Sequence, residues 1–358
     1  MSAVGLDQLS PQPTPANRAL PHLRSEVSRL THRRLYRALV VLLLAGIVVI
    51  SLVAFLRSAA EVTLTPADRQ RYEQDLALFA RDLPQFQDGW EACVAGAGSA
   101  DVAEVCGPRP TLADGPRPEF YASAVPYDAA ENLPSVLVAV TMASVMLAFL
   151  LGASSGGAEW SSRSMTLQLL WEPRRLRLLA LKWAALALVS AVTAAVALAV
   201  GLALGAVTTS LRGSWGPPEQ GLPDSFWADL AGTAGRGIVL VVLAASFAFA
   251  IAMLVRNTGA ALGTAFVYFA VLENAVRIVL MRFGSEAFML STNAAAFVVP
   301  GGVEVPRRVV ETPDPAGGTF TDTVMMQLGN GRAFLTLLGY LLVLAVPAVW
   351  SFTRRDVS

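Results

Sequence analysis

Apolar and polar positions in this chain fall into long blocks, not into the short alternations of a water-soluble core. The first apolar block, 38–56, runs for nineteen residues with Ser51 as its single polar side chain, and Arg57 closes it. At 1.5 Å of rise per helical residue this is a membrane-crossing length. Five more blocks follow at 133–153, 183–207, 237–255, 259–281 and 333–350. The pattern predicts an all-α polytopic membrane protein with six transmembrane helices. The fourth and fifth blocks are separated only by Arg256, Asn257 and Thr258. A tight turn is expected there, because one uninterrupted helix would far exceed the bilayer thickness.

The segments between the blocks are read next. Residues 1–37 form an N-terminal region in which Pro11, Pro13 and Pro15 precede a helical stripe of Leu23, Val27 and Leu30, with Arg24 and Arg29 off it. Such a stripe fits an amphipathic helix on the membrane surface or an ordinary lead-in helix. In 57–132, Thr65-Pro66-Ala67-Asp68 reads as an N-cap, a proline at N1 and an acid at N3, opening a charged helix to about Leu83. The later, Gly- and Pro-rich part is expected to be mostly loop, with Leu78, Phe79, Phe86 and Trp90 supplying a small helical outer domain with some core. The segment 208–236 is a shorter outer loop. In 282–332, Pro300-Gly301-Gly302 and Pro313 to Gly318 mark turns, and 287–299 suits a short helix. Residues 351–358 form a tail.

Charge gives the chain a direction. Arg29, Arg33, Arg34 and Arg37 precede the first span, and Arg163, Arg174, Arg175, Arg177 and Lys182 lie in 154–182. Arg256 occupies the 256–258 turn, and Arg354 and Arg355 lie at the C-terminal end. Six spans place all of these on one side, and the positive-inside rule makes it the cytoplasm of a cell inner membrane, with both termini there. Between Glu61 and Glu131, thirteen acidic residues face five arginines, as expected outside. Composition agrees, at 54% hydrophobic and 15% charged, with a mean hydropathy of +0.53. The zero formal net charge gives no general basic surface for nucleic acid. Both cysteines, Cys93 and Cys106, fall in the first outer segment. An oxidising exterior permits a disulfide there, the alternative being two independent thiols.

Candidate chemistry concentrates in the segment running from Gly156-Gly157 through Glu159, Trp160, Ser161, Arg163 and Leu167 to Pro173. A helix here begins after two glycines, stops before the proline, and is short and amphipathic, which suits docking to a soluble partner or lying as a surface connector. With Trp171-Glu172-Pro173-Arg174-Arg175 and Lys182 at the next membrane entrance, the chain resembles the membrane subunits of ABC-2 type transporters, in particular actinobacterial ABC permease subunits. The resemblance implies a membrane-spanning permease of an ATP-driven transporter, with export favoured and cargo unassigned. It implies two ABC ATPase subunits and a second, identical or related permease as partners. It also makes Glu159, Trp160, Ser161, Arg163 and Leu167 motor-coupling residues and Arg174, Arg175 and Lys182 a cytoplasmic basic loop. The large outer segment departs from compact members of that family. It supports a rival reading as a sensor or scaffold with an extracytoplasmic protein partner.

No G-x-x-x-x-G-K-[ST] phosphate loop occurs in the sequence, so the chain is expected to be no enzyme, with ATP and Mg2+ on the partner ATPase. The two histidines, His22 and His32, both lie near the N-terminus, which leaves no catalytic residue, cofactor or metal ligand to assign. Glu273, Asn274 and Arg277 fall inside the fifth span. Charged groups in lipid turn towards each other, other helices or water, and Glu273 and Arg277 share a helical face as either a gating cluster or a structural pair. Gly201 and Gly205 form a G-x-x-x-G pair that can serve helix packing or a dimer contact.

Overall fold

The computed structural model describes residues 15–96, 102–162, 164–171, 174–216, 221–280, 284–314 and 318–354. The chain is an all-α polytopic membrane protein, and among the described residues six helices are long and apolar enough to span a bilayer. It divides into two compact units, one of Met1–Val48, Leu133–Ala203 and Pro223–Ser358, the other of Val49–Asn132 and Leu204–Leu222.

In the larger unit, α1 (Pro15–Thr31) leads into α2 (Arg34–Arg57), the first span. The second is α5 (Ala129–Ser161), the third α7 (Arg175–Arg212), and the short α6 (Ser164–Trp171) stands between them in sequence. Every spanning helix except the fifth outruns its apolar block by one to several turns, because polar residues continue a helix wherever protein or water covers them. The fourth span, α8 (Phe226–Val255), is buried over most of its length. Its C-cap Arg256 adopts a left-handed conformation with φ 54°, and Asn257 caps α9 (Thr258–Val267) by accepting from the Ala260 N–H at 2.9 Å. The chain therefore turns back within two residues. The fifth span continues from α9 through a π-helical turn, Tyr268–Leu272, into α10 (Glu273–Leu280).

Close approach of α5 and α8 is set by residues without side-chain bulk. A Cβ on Gly152 would lie 2.2 Å from the Ala245 carbonyl oxygen, and one on Gly156 would meet the Ala252 Cβ at 3.0 Å. A Cβ on Gly157 would fall 2.3 Å from the Thr258 backbone nitrogen. Gly156 and Gly157 therefore do not open a new helix, as the sequence suggested. They lie inside α5, and α6 begins only at Ser164. Gly201 is likewise turned inward, where a Cβ would sit 3.1 Å from Val140, so its small size serves packing within this chain.

The stripe on α1 is also taken up internally. Leu30 is buried in the main core, and Leu23 and Val27 pack against that core with Leu178, Leu179, Met165 and Phe352 nearby. Between the fifth and sixth spans, α11 (Leu290–Val298) follows a 3-10 turn at Ser285–Phe288. The C-terminal carbonyls of α11 accept from the Asn330 amide, at 2.7 Å from Ala296 and 2.7 Å from Val299, and from Arg236 at 3.3 Å from Val298. An antiparallel hairpin of β3 (Val303–Asp314) and β4 (Gly318–Leu328) precedes α12 (Asn330–Arg354), the sixth span. The sequence marked the turns at both ends of this hairpin but not its strands. Val305 and Leu328 at its base are buried with α11 and α12, and the register shifts between Pro306 and Arg308, where proline cannot donate to the ladder.

In the smaller unit, α3 (Pro66–Gly96) starts as predicted: the Asp68 N–H donates to Thr65 Oγ1 at 3.2 Å, with Pro66 in the first turn. It runs past Leu83 and through Pro84. The segment after it lies along one stripe of α3. Trp90 Nε1 donates to the Gly107 carbonyl at 3.0 Å, Gln87 to Pro110 at 2.9 Å, and the Tyr121 hydroxyl to Asp75 at 2.6 Å. That hydrogen bond raises the Tyr121 pKa, while hydrogen bonds from Thr111 lower that of Asp114. A single helical turn, α4 (Val102–Val105), and 3-10 turns at Leu112–Asp114 and Pro118–Phe120 complete this strap. Strands β1 (Tyr127–Asp128) and β2 (Gly213–Ser214) pair in parallel.

Gly152→Val should cost about 3 kcal/mol or more, since the added atoms meet backbone that cannot move aside. Thermal unfolding in detergent should show a clear loss for this variant. Gly46→Ala, with no atom within 4 Å of the added Cβ, should be neutral or slightly stabilising.

Candidate functional site

The region singled out by sequence is built from the ends of five helices in the larger unit. At the entrance to α7, Lys182 is 5% exposed, and its ammonium lies 2.6 Å from Glu159 of α5 and 3.2 Å from Glu26 of α1. Glu159 also pairs with Arg33 at 2.9 Å, and Glu26 with Arg29 at 3.1 Å. Two carboxylates and three cations thus alternate across α1, α5, α7 and the link between α1 and α2, where Arg33 lies. A lone ammonium in this setting would be strongly disfavoured, and the flanking carboxylates make its burial tolerable.

Trp160, next in sequence, packs edge-on against Phe352 of α12 at 6.2 Å, and the Arg256 guanidinium lies 4.2 Å above its ring. That contact is a cation–π arrangement joining the ends of α5, α8 and α12. Arg175 donates to the carbonyls of Phe352 and Thr353 at 3.4 and 3.3 Å, placing a cation at the C-terminal end of α12, where the helix dipole is negative.

The predicted coupling residues therefore part company. Glu159 is buried in the ion-pair cluster and Trp160 is half-buried in the aromatic stack. Ser161 is exposed at the end of α5, its hydroxyl donating to the Ala158 carbonyl at 3.0 Å. Leu167 is 62% exposed on α6, as is Leu170 at 76%, while Met165 on the opposite side of that short helix is fully buried. Arg163 lies outside the described residues, as do Glu172 and Pro173. Of the predicted basic loop, Arg174 is exposed, Arg175 holds α12 and Lys182 is internal.

Sequence reading missed Glu26 and Arg33 as members of this cluster. One signal was available: Glu26 stands three residues after Leu23 and four before Leu30, which puts an acid on the apolar face of α1 and calls for a buried cation. The identity of that cation had no local signal.

The intramembrane trio is also divided. Glu273 is 6% exposed and accepts from the backbone N–H of Ser291 at 3.0 Å and from the Ser291 hydroxyl. Its carboxyl group thus stands at the N-terminus of α11, where a backbone N–H is free to donate. Arg277 turns to Glu286 at 3.8 Å and to the Ser291 hydroxyl at 3.4 Å, so the helical spacing of Glu273 and Arg277 does not make them direct partners. Asn274 is exposed and donates to the Phe269 carbonyl at 2.8 Å, a group belonging to the π turn, whose wider i to i+5 spacing disturbs the ordinary ladder.

Cys93 and Cys106 form a disulfide, tying the strap to the end of α3. Among the described residues no group of three or more His, Cys, Asp and Glu side chains could hold a metal ion. The chain matches no protein-family model and no curated protein.

Two substitutions test what the charges and the disulfide contribute. Lys182→Met should cost about 3 kcal/mol or more by leaving two buried carboxylates short of a partner, with the loss reduced when Glu159→Gln is added. Thermal unfolding of the single and double variants measures the coupling. Cys93→Ser should cost about 3 kcal/mol within the smaller unit, read by limited proteolysis across 61–131.

Proposed function

We propose that the chain is the membrane-spanning permease subunit of an ATP-driven ABC transporter, an exporter working as a pair of permeases with two separate ATPase subunits. The observation that carries this reading is α6. Its buried Met165 anchors it to the core that contains α1, α7, α8 and α12, while Leu167 and Leu170 are left exposed. A short helix seated in this way can pass a push from a bound motor to several spans at once. Glu159 and Trp160 then act behind that surface, holding α5 to its neighbours, and the contact itself falls to Ser161, Leu167 and Leu170. ATP and Mg2+ would be bound by the motor, consistent with a sequence that has no phosphate loop of its own.

A second reading, as a membrane sensor or scaffold, is favoured by one feature of the smaller unit. Phe120 is 81% exposed and Leu78 and Phe86 are each about half exposed, on a domain closed by a disulfide. An extracytoplasmic protein partner would find apolar anchors there.

Leu167→Glu/Leu170→Glu should leave folding and the disulfide intact, because both side chains point away from the core, yet abolish recovery of an ATPase with the protein from mild detergent and stop ATP-driven flux in vesicles. Normal association and flux in this variant would remove α6 as the coupling surface. Flux with no ATPase present would overturn the transporter reading itself. Orientation is checked separately: a single cysteine introduced at Ser161 should react with an impermeant thiol reagent only after permeabilisation, with labelling in intact cells reversing the assigned sides.

A further inference from the structure

A second feature of the larger unit concerns lipid and not the motor. Between α2 and α7 lies an open groove of about 100 Å3, lined by Tyr36, Val40, Leu43 and Leu44 on one side and Val192, Thr193 and Val196 on the other. Its size is far below the roughly 300–1,000 Å3 of pockets that enclose a small molecule. Its walls are apolar apart from one pair at its end, the Tyr36 hydroxyl and Thr193 Oγ1 at 2.9 Å. Thr193 spends its own hydrogen on the Val189 carbonyl at 2.7 Å, so Tyr36 donates to Thr193 and that end of the groove has no free donor.

The charge beside this end is one-sided. Arg37 precedes Val40 by three residues and Leu44 by seven, which sets it on the same face of α2 as the groove. It is exposed, and its side chain donates to the His32 carbonyl at 3.0 Å, which leaves most of its five N–H donors unused. Arg34, one turn earlier, is exposed and has no hydrogen-bond or ion-pair partner among the described residues. Neither α2 nor α7 contains a single acidic residue, and the nearest acid on α1, Glu26, is occupied by Lys182 and Arg29. Nothing on these elements competes for the two guanidiniums.

We infer that this groove and its two arginines form a binding site for one anionic phospholipid, with an acyl chain along Val40, Leu44, Val192 and Val196 and the headgroup phosphate at Arg34 and Arg37. Guanidinium groups suit phosphate because their donors are fixed in a planar fork. The site lies in a single leaflet, since the groove reaches only from Tyr36 to Leu44 along α2.

The test uses the full-length protein reconstituted in phosphatidylcholine vesicles containing a trace of spin-labelled phosphatidylglycerol or spin-labelled phosphatidylcholine, with the immobilised fraction read at low ionic strength. The native protein should prefer phosphatidylglycerol. Arg34→Gln/Arg37→Gln should lower that preference by up to about thirty-fold, each charge contributing about five-fold, while Arg34→Lys/Arg37→Lys should keep much of it. Val196→Phe, which fills the groove, should reduce immobilisation of both lipids. Because Arg33 and its ion pair are untouched, these variants should keep the native unfolding temperature. An unchanged preference in the glutamine variant overturns the proposal, as does displacement of the labelled lipid by millimolar glycerol 3-phosphate, which would mean a soluble phosphate site. Protection of a Val192→Cys thiol that follows protein concentration and ignores lipid composition would assign the groove to a second copy and equally overturn it.

Discussion

A buried ammonium at the mouth of α7 has to be neutralised, and much of the larger unit is arranged around that need. Lys182 reaches Glu159 and Glu26 at once, and these two acids come from helices that are otherwise far apart in sequence. Removing one member would leave the others buried and unbalanced, which is far costlier than never having placed them there. The cluster is therefore weaker evidence of stability than of register: in this arrangement of α1, α5 and α7 every one of its charges is answered.

Helix packing supplies the second constraint. Gly152, Gly156 and Gly157 let α5 approach α8 and the start of α9 until backbone meets backbone. Lipid tails are as apolar as leucine, so membrane helices gain little from burying apolar surface against each other and depend on this kind of close contact. The same approach brings Trp160 under Arg256 and against Phe352. The inner charges and the aromatic stack are thus two layers of one joint, and α6 rests on the joint through Met165.

Apolar exposure has different meanings in the two units. On α2 and on the α9–α10 span it is the expected face of a helix in lipid. On α3 and its strap, where Trp90, Gln87 and Tyr121 make polar contacts and one disulfide closes the chain, the exposed Phe120 and Phe86 belong to no candidate span. The proposed lipid groove belongs to the first kind, set apart by the arginines at its end.

The six spans, the tight turn at 256–258 and the Thr65 cap were all legible in the sequence, because each depends on a local property: apolar length, the limit set by bilayer thickness, or a side chain reaching its own backbone. The disulfide was legible as a permitted pairing and no more, since pairing depends on where the strap lies. What the sequence could not carry was partnership over distance. Glu273 and Arg277, one turn apart, take Ser291 and Glu286 as partners because α11 and its preceding turn come to lie beside them. Glu159, in a segment that read as an exposed docking helix, is drawn inside because α5 runs on past its glycines and Lys182 waits there. Local pattern fixed which helices exist; only their packing decided which charges face one another, since a buried charge takes its partner from whatever the fold brings within a few ångströms.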